Sequence, residues 1–205
     1  MFGHIFKSEL LNFTINDSLI NKLWAEIVFN YNESRRYYHN LAHLDNLNEQ
    51  LLPVRQQIED WQTVVLSVAY HDIIYNTLKH DNEEKSAAFA ADRLTQLALP
   101  STQIEKCRQQ ILSTKEHQVS DDTDTNYFTD ADLSILGFDN NSYLKYAEQI
   151  RKEYQYYPDF LYQPGRRKVL IHFLKMEAIF KTKYFHDKYE EQARVNILNE
   201  LRTLS

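Results

Sequence analysis

Turn-makers are what this chain lacks. It holds three glycines (Gly3, Gly137, Gly165) and four prolines (Pro53, Pro100, Pro158, Pro164) in 205 residues, too few to punctuate the many tight corners of an all-β fold. The same scarcity leaves nothing from which to build the glycine-rich phosphate loops of dinucleotide-binding or P-loop proteins. Apolar residues recur instead at helical spacing: Leu19, Ile20, Leu23, Trp24, Ile27 and Val28 mark one face of a helix between Asp17 and Tyr31. With 43% of its residues hydrophobic the chain can bury one good core. The expected fold is therefore all-α, an orthogonal helical bundle forming a single domain over residues 1–205.

Helical segments follow one another with short interruptions. One is expected over roughly residues 36–52, stopping near Pro53, and WQTVVLSVAYHDIIY, from Trp61, is apolar almost all round, as a central buried helix is. DNEEKSAAFAADRLTQLAL should begin on Asp81 or Asn82 as cap and end before Pro100, and STQIEKCRQQILSTKEH on Ser101 or Thr102. DDTDTNYF reads as a polar loop ahead of TDADLSILG, with Asp130 as the ordinary cap of a short helix there. Further helices are expected from about Asn141 to Tyr154 and through RRKVLIHFLKMEAIFKTKYF after Gly165. A last one, KYEEQARVNILNELRTL, carries Ala193, Ile197, Leu201 and Leu204 on one stripe.

Charge narrows the partners. A net charge of −6 without a basic block disfavours binding to a nucleic-acid polymer, although a local basic cleft could still hold a small phosphate ester. Cys107 is the only cysteine, which forbids an intrachain disulfide and fits a reducing compartment. The start, MFGHIFKSELLNF, has no basic segment followed by an unbroken apolar stretch, and no apolar run approaches membrane length. The expectation is a cytoplasmic protein with no membrane partner; oligomeric state leaves no mark on the sequence.

Three stretches carry side chains suited to chemistry. In YYHNLAHL, His39 and His43 stand four apart, so on a helix both would face one cleft. His71-Asp72 ends a strongly apolar helix, where an imidazole and a carboxylate are costly to bury unless something compensates them, as a metal ion would. Asp132, in FTDADLSILG, is an acid among leucines and isoleucines. Together His43, His71, Asp72 and Asp132 offer two imidazoles and two carboxylates, a nitrogen and oxygen set suited to Mn²⁺, Fe²⁺, Mg²⁺ or Zn²⁺ rather than a thiolate zinc site.

The order His…His-Asp…Asp resembles the HD superfamily of metal-dependent phosphohydrolases. YHNLAH, AYHD and TDADLS are similar to elements of the cyclic-nucleotide phosphodiesterases, and NEEKSA, ILSTKEH, IRKEY, GRRKVL and ARVNILNEL extend the likeness to a smaller bacterial and fungal group assigned to HD phosphohydrolases. The resemblance implies one or two divalent ions, Mn, Fe, Mg, Ni, Co or Zn, held by His43, His71, Asp72 and Asp132. It implies a small phosphorylated substrate, with nucleotides among the candidates. His39 would be the general acid for the departing alkoxide, and Asp72 would help orient the attacking water.

Around these, Glu83 is a candidate for positioning that water, against its plain reading as a first-turn glutamate. Arg36, Lys115 and His117 are candidates for substrate phosphate contacts, and His117 also for a second ion; each has a plainer reading as a solvated basic face or a helix C-terminus. His186-Asp187 reads as an exposed helix junction, His172 as a core histidine, and Arg166, Arg167 and Lys168 as a solvated helix start. The aromatic segment Glu153 to Tyr162 reads as a pinned connection, with a lid over a nucleobase as the other option. Two alternatives to the hydrolase stand: a cyclic-nucleotide phosphodiesterase, against which the chain is short and shows no purine-reading glutamine, and a non-catalytic metal-containing ligand-binding or sensor module.

Overall fold

The computed structural model describes residues 1–204, and over these it consists of helices with no strand. In chain order they are α1 (Phe2–Leu10), α2 (Asp17–Tyr31), α3 (Leu41–Leu51), α4 (Trp61–Tyr70), α5 (Asn82–Gln96), α6 (Ser101–Ser113), α7 (Thr123–Leu133), α8 (Asn140–Glu153), α9 (Asp159–Lys175) and α10 (Lys183–Thr203). Short 3-10 turns occupy Leu52–Gln57 and Ser134–Gly137. The expected all-α bundle is what forms. Among the described residues no helix is long and apolar enough to cross a membrane.

The bundle is built around α4, in which every residue but Gln62 is buried, with α1, α3, α5, α6 and α7 packed on it. Side chains cap several of the helices: Asn16, Asn40, Asp60, Asp122 and Asp139 accept from free N–H groups of α2, α3, α4, α7 and α8. Helix α1, which the sequence reading did not anticipate, buries Phe2, Phe6 and Leu10 at four-residue spacing. Gly3 has a steric reason to be glycine, because a Cβ there would stand 2.4 Å from the Trp24 ring. Gly137 likewise lets its turn lie against α10, where a Cβ would meet that of Tyr189 at 2.4 Å.

Several boundaries differ from expectation. Helix α3 starts at Leu41, so His39 lies in the turn before it, outside the expected helix over residues 36–52. Helix α6 begins at Ser101 with Pro100 in the cap position rather than Ser101 or Thr102. DDTDTNYF is largely the start of α7, not a loop. Its acids are anchors: Asp122 caps the helix, and buried Asp124 accepts from the backbone N–H groups of Glu59 and Asp60 and from Lys106. Asp130 caps no short helix. It sits within α7 and receives the N–H groups of Lys181 and Thr182, closing the start of α10.

Helix α9 begins at Asp159, before Gly165, and stops at Lys175. The connection that follows is held because Arg194 donates to the carbonyls of Leu174, Met176 and Glu177, and Glu190 accepts from Ile179 and Phe180. His172 is exposed rather than core, and Arg166 is buried on Glu200 at 2.7 Å rather than solvated. Arg151 donates to the carbonyls of Tyr154 and Tyr157 and pairs with Asp159, pinning the aromatic connection between α8 and α9.

Candidate metal centre

Three helix ends and a turn meet at one point. His43 lies in the first turn of α3, His71 follows the last residue of α4, Asp72 is next in the turn, and Asp132 sits in the last turn of α7. Nε2 of His43 and Nε2 of His71 are 3.1 Å apart. Asp132 Oδ1 is 3.2 Å from His43 Nε2 and 3.7 Å from His71 Nε2. Asp72 Oδ2 is 3.1 Å from His71 Nε2 and 3.9 Å from His43 Nε2. One ligand atom each from His43, His71 and Asp132 falls within 4.8 Å of the others, so this group could hold a metal ion; Asp72 adjoins the three without completing a four-membered set.

The imidazole of His71 is set for that role. Its Nδ1 lies 3.0 Å from the Val68 carbonyl, which can only accept, so Nδ1 carries the hydrogen and the neutral ring turns its Nε2 lone pair to the cluster. His43 has no such tie: among the described residues its buried Nδ1 has no hydrogen-bond partner, and the ring is steadied by packing on Tyr38, 4.9 Å between centroids.

The charge balance also fits a cation. Asp72 and Asp132 have, among the described residues, only histidines within ion-pair distance. Burial works against charge on His71, but Asp72 and Asp132 outweigh it and push the imidazole up to about 9. Burial dominates at His43 and lowers it. Burial is outweighed by His71 and His39 at Asp72, and by His117 and His43 at Asp132, so both carboxylates stay ionised below their usual range. Two anionic carboxylates thus draw a proton onto His71; a divalent cation would neutralise them while leaving both imidazoles free as ligands.

His39 stands beside this cluster on a separate mount. The backbone N–H groups of Tyr38 and His39 donate to Glu153 Oε1 at 2.7 and 2.9 Å. His39 Nδ1 donates to Glu153 Oε2 at 2.7 Å, and the Tyr75 hydroxyl donates to the same oxygen at 2.8 Å. The far nitrogen of His39, Nε2, is 3.9 Å from Asp72 Oδ2. Burial lowers the His39 pKa but Glu153 and Asp72 outweigh it, so the net shift is upward. The ring lies over Tyr75 with centroids 4.3 Å apart.

The remaining candidates divide. His117, at the left-handed φ of 53°, brings Nε2 to 3.0 Å from Asp132 Oδ2, the oxygen opposite the one facing His43. Glu83 is half-buried on α5, its pKa raised by burial and by the charge of Asp72. Lys115 is exposed and occupied by the Glu84 carboxylate and the His80 carbonyl. Arg36 is buried and donates to the carbonyls of Asp72 and Ile73 at 2.5 and 3.0 Å, which fixes the turn carrying Asp72 rather than reaching into the cluster. His186 and Asp187 are exposed on α10, as expected.

Sequence reasoning did not single out Glu153 or Tyr75. Glu153 closes α8, where the helix dipole disfavours an anion, and that misplacement was the available hint. No family model matches this chain, and neither the curated proteins nor the solved structures contain a match to it.

Proposed function

We propose that the chain is a metal-dependent hydrolase of small phosphate esters, with nucleotides among its candidate substrates, in the manner of the HD-type enzymes its motifs resemble. The observation that carries the reading is the convergence of His43, His71 and Asp132 within 4.8 Å, with a separately mounted His39 at its edge. A divalent cation bound there would supply Lewis-acid polarisation of a phosphoryl oxygen and a lowered pKa for water. Mn, Fe, Mg, Ni, Co and Zn all suit a donor set of nitrogen and oxygen.

The chain's own groups then have distinct tasks. His43 and His71 offer Nε2, and Asp132 offers Oδ1. Asp72, with Oδ2 3.1 Å from His71 Nε2 and 3.9 Å from His39 Nε2, would orient the attacking water. Glu153 holds the protonated His39 by Nδ1 so that Nε2 can give its proton to the departing alkoxide. A cytoplasmic location belongs to the same proposal, the lone Cys107 being free and buried.

The test is turnover by the purified protein, loaded in turn with Mn²⁺, Fe²⁺, Co²⁺, Ni²⁺ and Mg²⁺, against phosphorylated metabolites that include nucleoside mono- and triphosphates and cyclic AMP and GMP. Hydrolysis of at least one, falling to background in His71→Ala and Asp132→Ala, is expected. Undiminished hydrolysis in both variants would refute the assignment. A retained ion with no turnover across the panel would point to a binding module instead.

A further inference from the structure

Tyr75 and Glu153, which hold His39, also form part of the wall of a cavity of about 220 Å³. Its walls include Arg35, Arg36, Tyr75, Tyr156, Glu33 and Glu153, but none of His43, His71, Asp72 and Asp132. Two of these walls are buried and charged, Arg36 at 7% and Glu153 at 3% exposure. Their states differ. Both oxygens of Glu153 are filled, Oε1 by two backbone N–H groups and Oε2 by His39 and Tyr75.

The Arg36 guanidinium is not filled. Its terminal nitrogens go to backbone carbonyls, and among the described residues its buried Nε has no hydrogen-bond partner, with only the exposed carboxylate of Glu33 at 3.6 Å. Among the described residues Arg35 has no carboxylate partner; its guanidinium lies over the Tyr156 ring at 4.8 Å. A cavity with two under-compensated guanidinium groups favours an anion, and the arginine fork suits phosphate or carboxylate oxygens. The aromatic walls Tyr75 and Tyr156 favour a planar body attached to that anion. The volume, roughly seven waters' worth, limits the ligand to a small molecule.

We propose that this cavity is a second ligand site, for a small organic anion with a planar apolar part, distinct from the metal cluster. Its anionic group would take Arg35 and the free Nε of Arg36, displacing Glu33. Because Tyr75 and Glu153 are shared between the cavity wall and the mount of His39, the occupant would touch the groups that orient His39 without approaching the metal ligands. The site stands whether or not the cluster is catalytic.

Phenylphosphonate is a suitable probe, titrated by calorimetry into chelator-treated protein so that no cation draws it to the cluster. The site predicts millimolar or tighter binding by the intact chain. Arg35→Gln, an exposed change that spares the fold, should weaken it by about fivefold, the scale of one lost charge-assisted contact. Glu33→Gln should tighten it, since the competing carboxylate is gone, and His43→Ala should leave it unchanged. Absence of binding to the intact chain, equal affinity in Arg35→Gln, or loss of binding in His43→Ala would each overturn the proposal.

Discussion

At His39 and His71 the same side chain is mounted for opposite ends. Val68 takes the Nδ1 hydrogen of His71 and aims Nε2 at the cluster, where a cation would take the place of its proton; Glu153 takes that of His39 and favours the protonated ring, whose Nε2 can donate. His39→Ala should therefore keep its metal content while slowing esters of poor alkyl leaving groups by about 10²–10⁴-fold, and aryl esters far less. Equal slowing of the two ester classes would count against His39 as the acid. Glu153→Gln should slow the same alkyl esters by roughly 10–100-fold, as loss of a partner that orients a histidine does.

Glu153 also makes a stability statement. Burial raises its pKa, but His39 and the Tyr38 and His39 N–H groups outweigh that, leaving it below the usual 4.5. Its contribution is thus present above the unfolded value and lost as pH falls through the folded one. The melting-temperature gap between the parent and Glu153→Gln should narrow as pH falls below that ordinary value; a constant gap would mean the carboxylate charge is not what counts. At this scale the sequence was legible where an ionisable side chain interrupts an apolar stretch, as at His71-Asp72 and Asp132. It was faint at Glu153, where the one hint was an acid at a helix C-terminus and the partners are remote in the chain.

Helix α7 shows what happens when a buried face is polar. Asp124, Thr125, Thr129 and Asp130 are all buried on it, each satisfied by hydrogen bonds, so the apolar periodicity that marks a helix is missing and the segment reads as a loop. Helix α2, with its apolar stripe, and α4, apolar almost all round, were legible for the converse reason. The shift of α3 to start at Leu41 has a local cause, since Asn40 is extended and its side chain accepts from Ala42 N–H. Asp124→Ala would leave the N–H groups of Glu59 and Asp60 unpaired at the start of α4, and Lys106 with Asp122 alone, at 3.3 Å. The expected cost is roughly 2–4 kcal/mol, read from urea midpoints; a change under about 0.5 kcal/mol would show that water replaces the carboxylate freely.

Across the whole molecule, α4 couples the core to the site: its buried face joins the hydrophobic cluster and its C-terminal end delivers His71 and Asp72. Cys107 reports on that core. Burial pushes its thiol up to about 12, against a smaller opposing effect of Ser67, so alkylation at pH 8 should be negligible in the native chain and follow global unfolding; rapid labelling would reveal a loosely packed α4 and α6. The all-α architecture was legible from the shortage of glycine and proline together with helical spacing. The way ten helices bring remote side chains to one point was not, because it depends on packing between elements.

Whether His43, His71 and Asp132 hold a cation is tested most directly by metal content, measured by mass spectrometry. Protein loaded with Mn²⁺, Fe²⁺, Co²⁺, Ni²⁺ or Mg²⁺ and freed of excess ion should retain close to stoichiometric metal for at least one of them. A His43→Ala, His71→Ala double variant with unchanged helical circular dichroism should retain essentially none. No retention of any ion by the parent chain, or equal retention by the folded double variant, would contradict it.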